Sequence, residues 1–204
     1  MGWYQKLRQY FPPEEMKKKE QMEALLKQNP HYKKEETDSY IMLYGEYSDF
    51  IFVDYILVDK EKRGQGIGQR LLEELKAKGK TIILEVEPVD EDDPDTVKRE
   101  RFYLSNGFKR TEHIRYYRDV GETSPELNRM ELYYWSPQGE VDEEVIREQM
   151  VKAYEDIHHY QYEEYFDRWE PDPEKLIQYT PDAPEQQVHY LEQGDDHDPD
   201  QPQV

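Results

Sequence analysis

Between Phe50 and Val58 the chain reads Phe-Ile-Phe-Val-Asp-Tyr-Ile-Leu-Val, apolar on both faces of an extended strand except at Asp54. A strand of this kind has to be covered from both sides. It leads through a charged turn at residues 59–63 into Gly64, Gln65, Gly66, Ile67 and Gly68. From there it enters a segment with Leu71, Leu72 and Leu75 on one helical side. A buried strand that passes through glycines into an amphipathic helix restricts the fold to an α/β sheet with helices on its faces. Glycine lets the backbone turn tightly and lets a ligand approach closely. The first helical turn adds unpaired N–H groups and the positive end of the helix dipole. Together these features make a cradle for an anion, most naturally a diphosphate. A nucleotide P-loop requires a lysine that is absent, and the dinucleotide fingerprint requires a third glycine where Gln69 stands. Taken alone, the glycines also fit a plain loop that serves helix–strand packing.

The remaining pattern agrees with an α/β sheet. Phe11-Pro12-Pro13-Glu14-Glu15 reads as a helix start, with the helix running to Gln28 through Met16, Met22, Leu25 and Leu26. Residues 39–47 and 50–58, separated by Ser48-Asp49, predict a hairpin. Residues 68–78 predict a helix, 81–86 a strand, and 97–105 a helix capped by Asn106-Gly107. Two more strands are predicted near 108–117 and 130–135. Residues 140–168 predict a late helix whose stripe of Ile146, Met150, Ala153, Ile157 and Tyr160 packs on the sheet or on a partner chain, a homodimer included. The expected division is a core at 1–138, a helical extension at 139–170 and a disordered tail at 171–204. The last of these is acidic and proline-containing, above all from Pro181 onward.

Composition narrows the function. The 204 residues carry 27 Lys and Arg against 47 Asp and Glu, a formal net charge of −20. Such a chain repels phosphate backbones, which argues against nucleic acid, and it suits cationic ligands or simple solubility. With no cysteine, disulfides, thiolate metal sites and a cysteine nucleophile are excluded. No apolar run approaches the ~20 residues of a membrane span, and the N-terminus lacks a signal-peptide pattern. A cytoplasmic protein without membrane contact is the expectation. His158, His159 and Glu163 are too few for a zinc site and are expected on a surface helix, so no metal is expected.

The spacing Arg63-x-x-Gly66-x-Gly68, with Val58 five residues upstream, resembles the coenzyme A pyrophosphate loop of the GNAT family of N-acetyltransferases. A second segment, Phe102-Tyr103-Leu-Ser-Asn-Gly107-Phe108, resembles the family's Phe-Tyr-x-x-x-Gly-Phe motif at the expected distance. Leu84-Glu85-Val86-Glu87-Pro88 is similar to a branch of uncharacterised bacterial members. The likeness covers residues 40–135. It implies a mixed, centrally splayed β-sheet flanked by helices, with acetyl-CoA as co-substrate and no metal. The acceptor is then a primary amine, on a small molecule or a peptide and of cationic character, acetylated by direct attack in a ternary complex. The rival reading is a module of the same fold that binds CoA or a partner without catalysis.

The resemblance also assigns roles. Leu57 and Val58 hold the pantetheine arm through backbone groups, and the amides of Arg63, Gly64, Gln65, Gly66, Ile67 and Gly68 hold the pyrophosphate. Tyr103 protonates the departing thiolate, its phenol having a reference pKa of ~10. Thr96 and Arg99 stand where the family has Asn and Ala, so Thr96 is an uncertain pantetheine contact and Arg99 an ion-pair or phosphate partner. For the base, Asp54 leads, because a lone carboxylate in an apolar strand is costly unless paired or used. The competing reading of Asp54 is a structural carboxylate. Glu85 and Glu87, on one face of their strand, are the alternatives as base or cation site.

Overall fold

The computed structural model describes residues 1–120, 127–166 and 171–181. Two N-terminal helices, α1 (Trp3–Arg8) and α2 (Lys19–Gln28), precede strands β1 (Tyr32–Glu36), β2 (Tyr40–Glu46) and β3 (Phe50–Val58). Helix α3 (Ile67–Lys76) leads to β4 (Thr81–Val86), and α4 (Pro94–Ser105) to β5 (Lys109–Arg110), β6 (Ile114–Asp119) and β7 (Leu127–Trp135). Helix α5 (Glu143–Ala153) runs into a π-turn at Tyr154–His158, then α6 (Tyr162–Tyr165), α7 (Pro173–Leu176) and β8 (Ile177–Tyr179). The eight strands of the described residues join one sheet in the order β1-β2-β3-β4-β7-β6-β8, with β5 paired to β7. Among the described residues only β3 and β4 run parallel, as a connection through α3 demands. Among the described residues no helix is long and apolar enough to cross a membrane.

The sheet separates two apolar layers, which explains why β3 is apolar on both faces. On one side Phe50, Phe52, Tyr55 and Leu57 meet α1, α2 and α5 through Leu7, Met22, Leu25, Ile146 and Met150. On the other, Ile51, Val53 and Ile82 meet Leu72, Leu75 and Phe108. The late-helix stripe is used within this chain: Ile146, Met150, Ala153 and Ile157 have no exposed surface. Removing a side chain of this kind typically costs about 2–5 kcal/mol.

Several expectations are corrected. The N-terminal helix breaks: a 3₁₀ turn at Pro13–Glu15 is followed by extended backbone at Met16, and α2 begins only at Lys19. The break lets Lys17 point into the protein. Tyr32-Lys-Lys-Glu-Glu36, charged at four of its five positions, adds an edge strand β1 against β2. The tail boundary at 171 is too early, because α7 and β8 follow it, Leu176 and Ile177 are buried, and β8 pairs with β6. The expected acidic tail beyond 181 lies outside the described residues. His158 and His159 do not lie on a surface helix; both are buried at the π-turn.

Candidate active site

Parallel pairing of β3 with β4 runs from Phe50–Thr81 to Val53–Leu84 and stops there. Beyond it β3 stays with β2 as far as Val58, and β4 stays with β7 as far as Val86, so the sheet opens between them. The opening begins at a β-bulge: Leu43 faces Tyr55 and Tyr44 faces Val53, leaving Asp54 as the extra residue. A cleft of about 590 Å³ fills the splay, walled by Val53, Ile56 and Val58 on one side and Leu84, Glu85 and Glu87 on the other.

The glycine turn closes one end of this cleft. Gly64 and Gly66 have φ of +75° and +76°, a region in which only glycine is unstrained, and Gly66 caps α3. Among the described residues, the backbone N–H groups of residues 64–69 find no acceptor. Lys62, Arg63, Lys98 and Arg99 line the same cleft, where cations and carboxylates are equal in number despite the acidity of the whole chain. Six free amides and a helix N-terminus, with Lys62 and Arg63 beside them, suit a linked pair of phosphates, whereas Lys98 and Arg99 are paired with Asp95 and Glu87. Gly64 and Gly66 have open space where a Cβ would stand, whereas Gly68 packs against Phe102, whose ring lies 3.1 Å from that position. Gly68 therefore also serves the approach of α3 to α4. Arg63 donates through Nε to the Val58 carbonyl at 3.2 Å and lies over the Tyr10 ring. The Leu57 side chain packs into the opposite layer, so only its backbone is available to the cleft.

Tyr103 lines the cleft from α4, packed against Phe102, Phe108 and Tyr133. Burial pushes its phenol above the ordinary value, with Arg99 pulling the other way. Thr96 does not reach the cleft. Its hydroxyl accepts from the Asp90 N–H at 3.0 Å and lies 2.8 Å from the Asp93 carbonyl, so it ties down the β4–α4 loop instead. Arg99 pairs with Glu87 at 2.6 Å.

The carboxylates separate by their partners. Asp54 has no exposed side-chain surface; the Lys17 ammonium lies 2.6 Å from one oxygen, and the Tyr32 hydroxyl donates to the other. With both oxygens engaged it suits the structural reading, not that of a base. Glu85 is similarly enclosed, accepting from Tyr116 and from His158 Nε2 at 2.7 Å, with Arg118 at 3.5 Å. Burial alone would raise its pKa, but His158, Arg118 and Tyr116 hold it at about 2, too acidic to take a proton from an ammonium. Glu87 alone of the three keeps substantial exposure, about 35% of its side chain.

Sequence reasoning missed Lys17, Arg118, His158 and Glu15. The first three form the buried charge network beneath the cleft, and their partners lie 33 to 103 residues away in the chain, at a separation no local pattern reports. Glu15 read as a helix-start glutamate, yet the 3₁₀ turn aims it into the cleft.

Comparison with known proteins agrees with this geometry. Residues 31–110 match the family described as "Acetyltransferase (GNAT) domain". The chain is 51% identical over 167 residues to "Putative acetyltransferase YjbC" of Bacillus subtilis (strain 168), covering 81% of this chain and 86% of that one. In fold it resembles a solved structure, "Putative acetyltransferase from GNAT family from Bacteroides thetaiotaomicron". That match has a TM-score of 0.62 at 24% identity, covering 73% of this chain and 85% of the other. On the relationship over 167 residues, together with the splayed sheet and glycine cradle, the chain belongs to the GNAT family of N-acetyltransferases.

Proposed function

We propose that this enzyme transfers the acetyl group of acetyl-CoA to a primary amine of a small molecule or peptide, by direct attack within a ternary complex. The observation that carries the reading is the run of acceptor-free amides at residues 64–69, opening onto the cleft that also holds Tyr103. The amides of the turn bind the pyrophosphate. The backbone of β3 beyond Val53, released from β4, receives the pantetheine arm and orients the thioester. The thioester then lies between the β3 wall and Tyr103. The ammonium of the acceptor first loses a proton to a carboxylate of the cleft. As nitrogen attacks the acetyl carbon, the N–C bond forms and the C–S bond breaks. Tyr103 donates a proton to the sulfur, and the second proton released by nitrogen restores the phenol. Backbone amides of the splayed strand stabilise charge on the carbonyl oxygen.

The test pairs calorimetric titration with acetyl-CoA and thiol release over a panel of polyamines, aminoglycosides and peptides with free N-termini. Binding together with acceptor-dependent thiol release supports the reading. Binding without release from any amine favours a non-catalytic CoA-binding module, and no binding removes the cofactor assignment.

A further inference from the structure

We propose that Glu15 and Glu87 share one proton at the inner end of the cleft, and that this pair, once ionised, accepts the proton of the incoming ammonium. The proposal deepens the acetyl-transfer reading and rests on it. Glu15 and Glu87 are lining residues both of the main cleft and of a second cavity of about 310 Å³ beside it, along with Arg118 and Met130. An amine that enters through the second cavity meets the carboxyl pair before it meets the thioester.

Each member is held from behind. The Glu15 carbonyl accepts from the Tyr55 hydroxyl at 2.7 Å and from Arg118 Nη2 at 2.9 Å, which fixes the 3₁₀ turn over the splay. The Lys17–Asp54 pair anchors the next residues. Arg99 holds Glu87 at 2.6 Å. Facing the same two cavities, the Glu15 and Glu87 side chains are placed for a carboxyl–carboxyl hydrogen bond, a contact that requires a proton between them. The charged and titratable groups around the pair are Arg99 and Tyr103 on α4, Arg118 on β6, Arg129 on β7, Asp54 and Tyr55 on β3, Glu85 on β4, Asp90 and Asp93 in the β4–α4 loop, and Tyr10 ahead of the turn.

The electrostatic consequence follows the geometry. Burial, the hydrogen bond and the charge of Glu87 push the Glu15 carboxyl up to about 8, against Arg118 and Arg99. Burial acts the same way on Glu87, but the bond from Glu15 and the Arg99 charge hold it below its ordinary value. A base of this strength is matched to proton transfer near neutral pH. The ammonium proton enters the ionised pair, which goes from two negative charges to one, and it leaves to solvent before the next turnover.

Carbon-13 NMR of protein labelled at the glutamate carboxyl carbons, with the Glu15 signal assigned through Glu15→Gln, tests the pair without any acceptor. One carboxyl should titrate near pH 8 and fall by roughly 1–3 units in Glu87→Gln, where the like charge is gone. With the panel amine that gives the highest rate, kcat of the wild type should rise through the same pH. Glu15→Gln should lose on the order of ten-fold or more in kcat, with its acetyl-CoA affinity kept. A Glu15 carboxyl titrating in the ordinary range, or Glu15→Gln losing less than this, overturns the proposal. Failure of the wild type to bind acetyl-CoA would instead overturn the transfer reading, and with it the base role.

Discussion

Asp54→Asn separates a structural carboxylate from a catalytic one. Lys17 and Asp54 side chains are 5% and 0% exposed, and their atoms are 2.6 Å apart. Removing one partner of such a pair typically costs about 3–5 kcal/mol, because the other charge is left buried. The remaining lysine sets a ceiling on this cost. Burial already pushes the Lys17 pKa down from 10.5, with Asp54 pulling it back up. Without Asp54 the ammonium sheds its proton, at a cost of about 1.4 kcal/mol for each pH unit below the unfolded value of 10.5. At pH 7 that ceiling is roughly 5 kcal/mol, and at pH 9 roughly 2 kcal/mol. The sign follows because the unfolded variant binds the proton that the folded one has lost, so stability rises with pH. Urea unfolding followed by circular dichroism should show a loss of about 3–5 kcal/mol at pH 7 that shrinks to about 2 at pH 9. In a chain of this size that corresponds to a fall in Tm of roughly 6–20 °C at neutral pH. Well below that Tm, kcat should stay within a few-fold. Unchanged stability together with a kcat loss of about 100-fold would refute the structural assignment and make Asp54 the base.

Tyr103→Phe should lower kcat about ten-fold or more with acetyl-CoA affinity nearly kept, since the lost hydroxyl acts on the leaving thiolate; an unchanged kcat removes Tyr103 from the mechanism. Glu85 contributes stability that is present above its unfolded pKa of 4.5 and is lost as pH falls toward its folded value of about 2. Glu85→Gln should therefore flatten the acid limb of the stability profile between these values, and an identical limb would refute the network described for His158, Tyr116 and Arg118. Ile177→Ala should cost about 2–5 kcal/mol, measured by urea unfolding, because this residue beyond 171 is completely buried; a neutral result would place β8 outside the folded unit.

The parts of the fold that were legible in the sequence are those whose signal is local. The double-faced apolarity of β3, the Leu71, Leu72 and Leu75 side of α3, and the Asn106-Gly107 turn with Gly107 at φ +78° each show within a few residues. The glycine turn was legible because a positive φ narrows the choice of residue at Gly64 and Gly66. What stayed hidden depends on distant partners. Lys17 read as one cation among many in a helical run, and nothing near it in sequence points to Asp54. β1 is recognisable as a strand only once β2 is beside it, since its charged side chains suit an edge. Glu15 carried a plausible role as a helix-start residue, and only the break at Met16 reassigns it to the cleft. The same holds for β8, whose Ile177 becomes a core residue by pairing with β6.

The central claim, that the amides of residues 64–69 bind the phosphates of acetyl-CoA, is tested most directly by nitrogen-15 amide NMR during titration with acetyl-CoA, in the wild type and in Gly66→Glu. The wild type should show its largest shifts at these six amides. The variant, carrying a carboxylate into open space at a strained φ, should lose binding while its remaining spectrum stays folded. Shifts clustered elsewhere, or full affinity in Gly66→Glu, would contradict the claim.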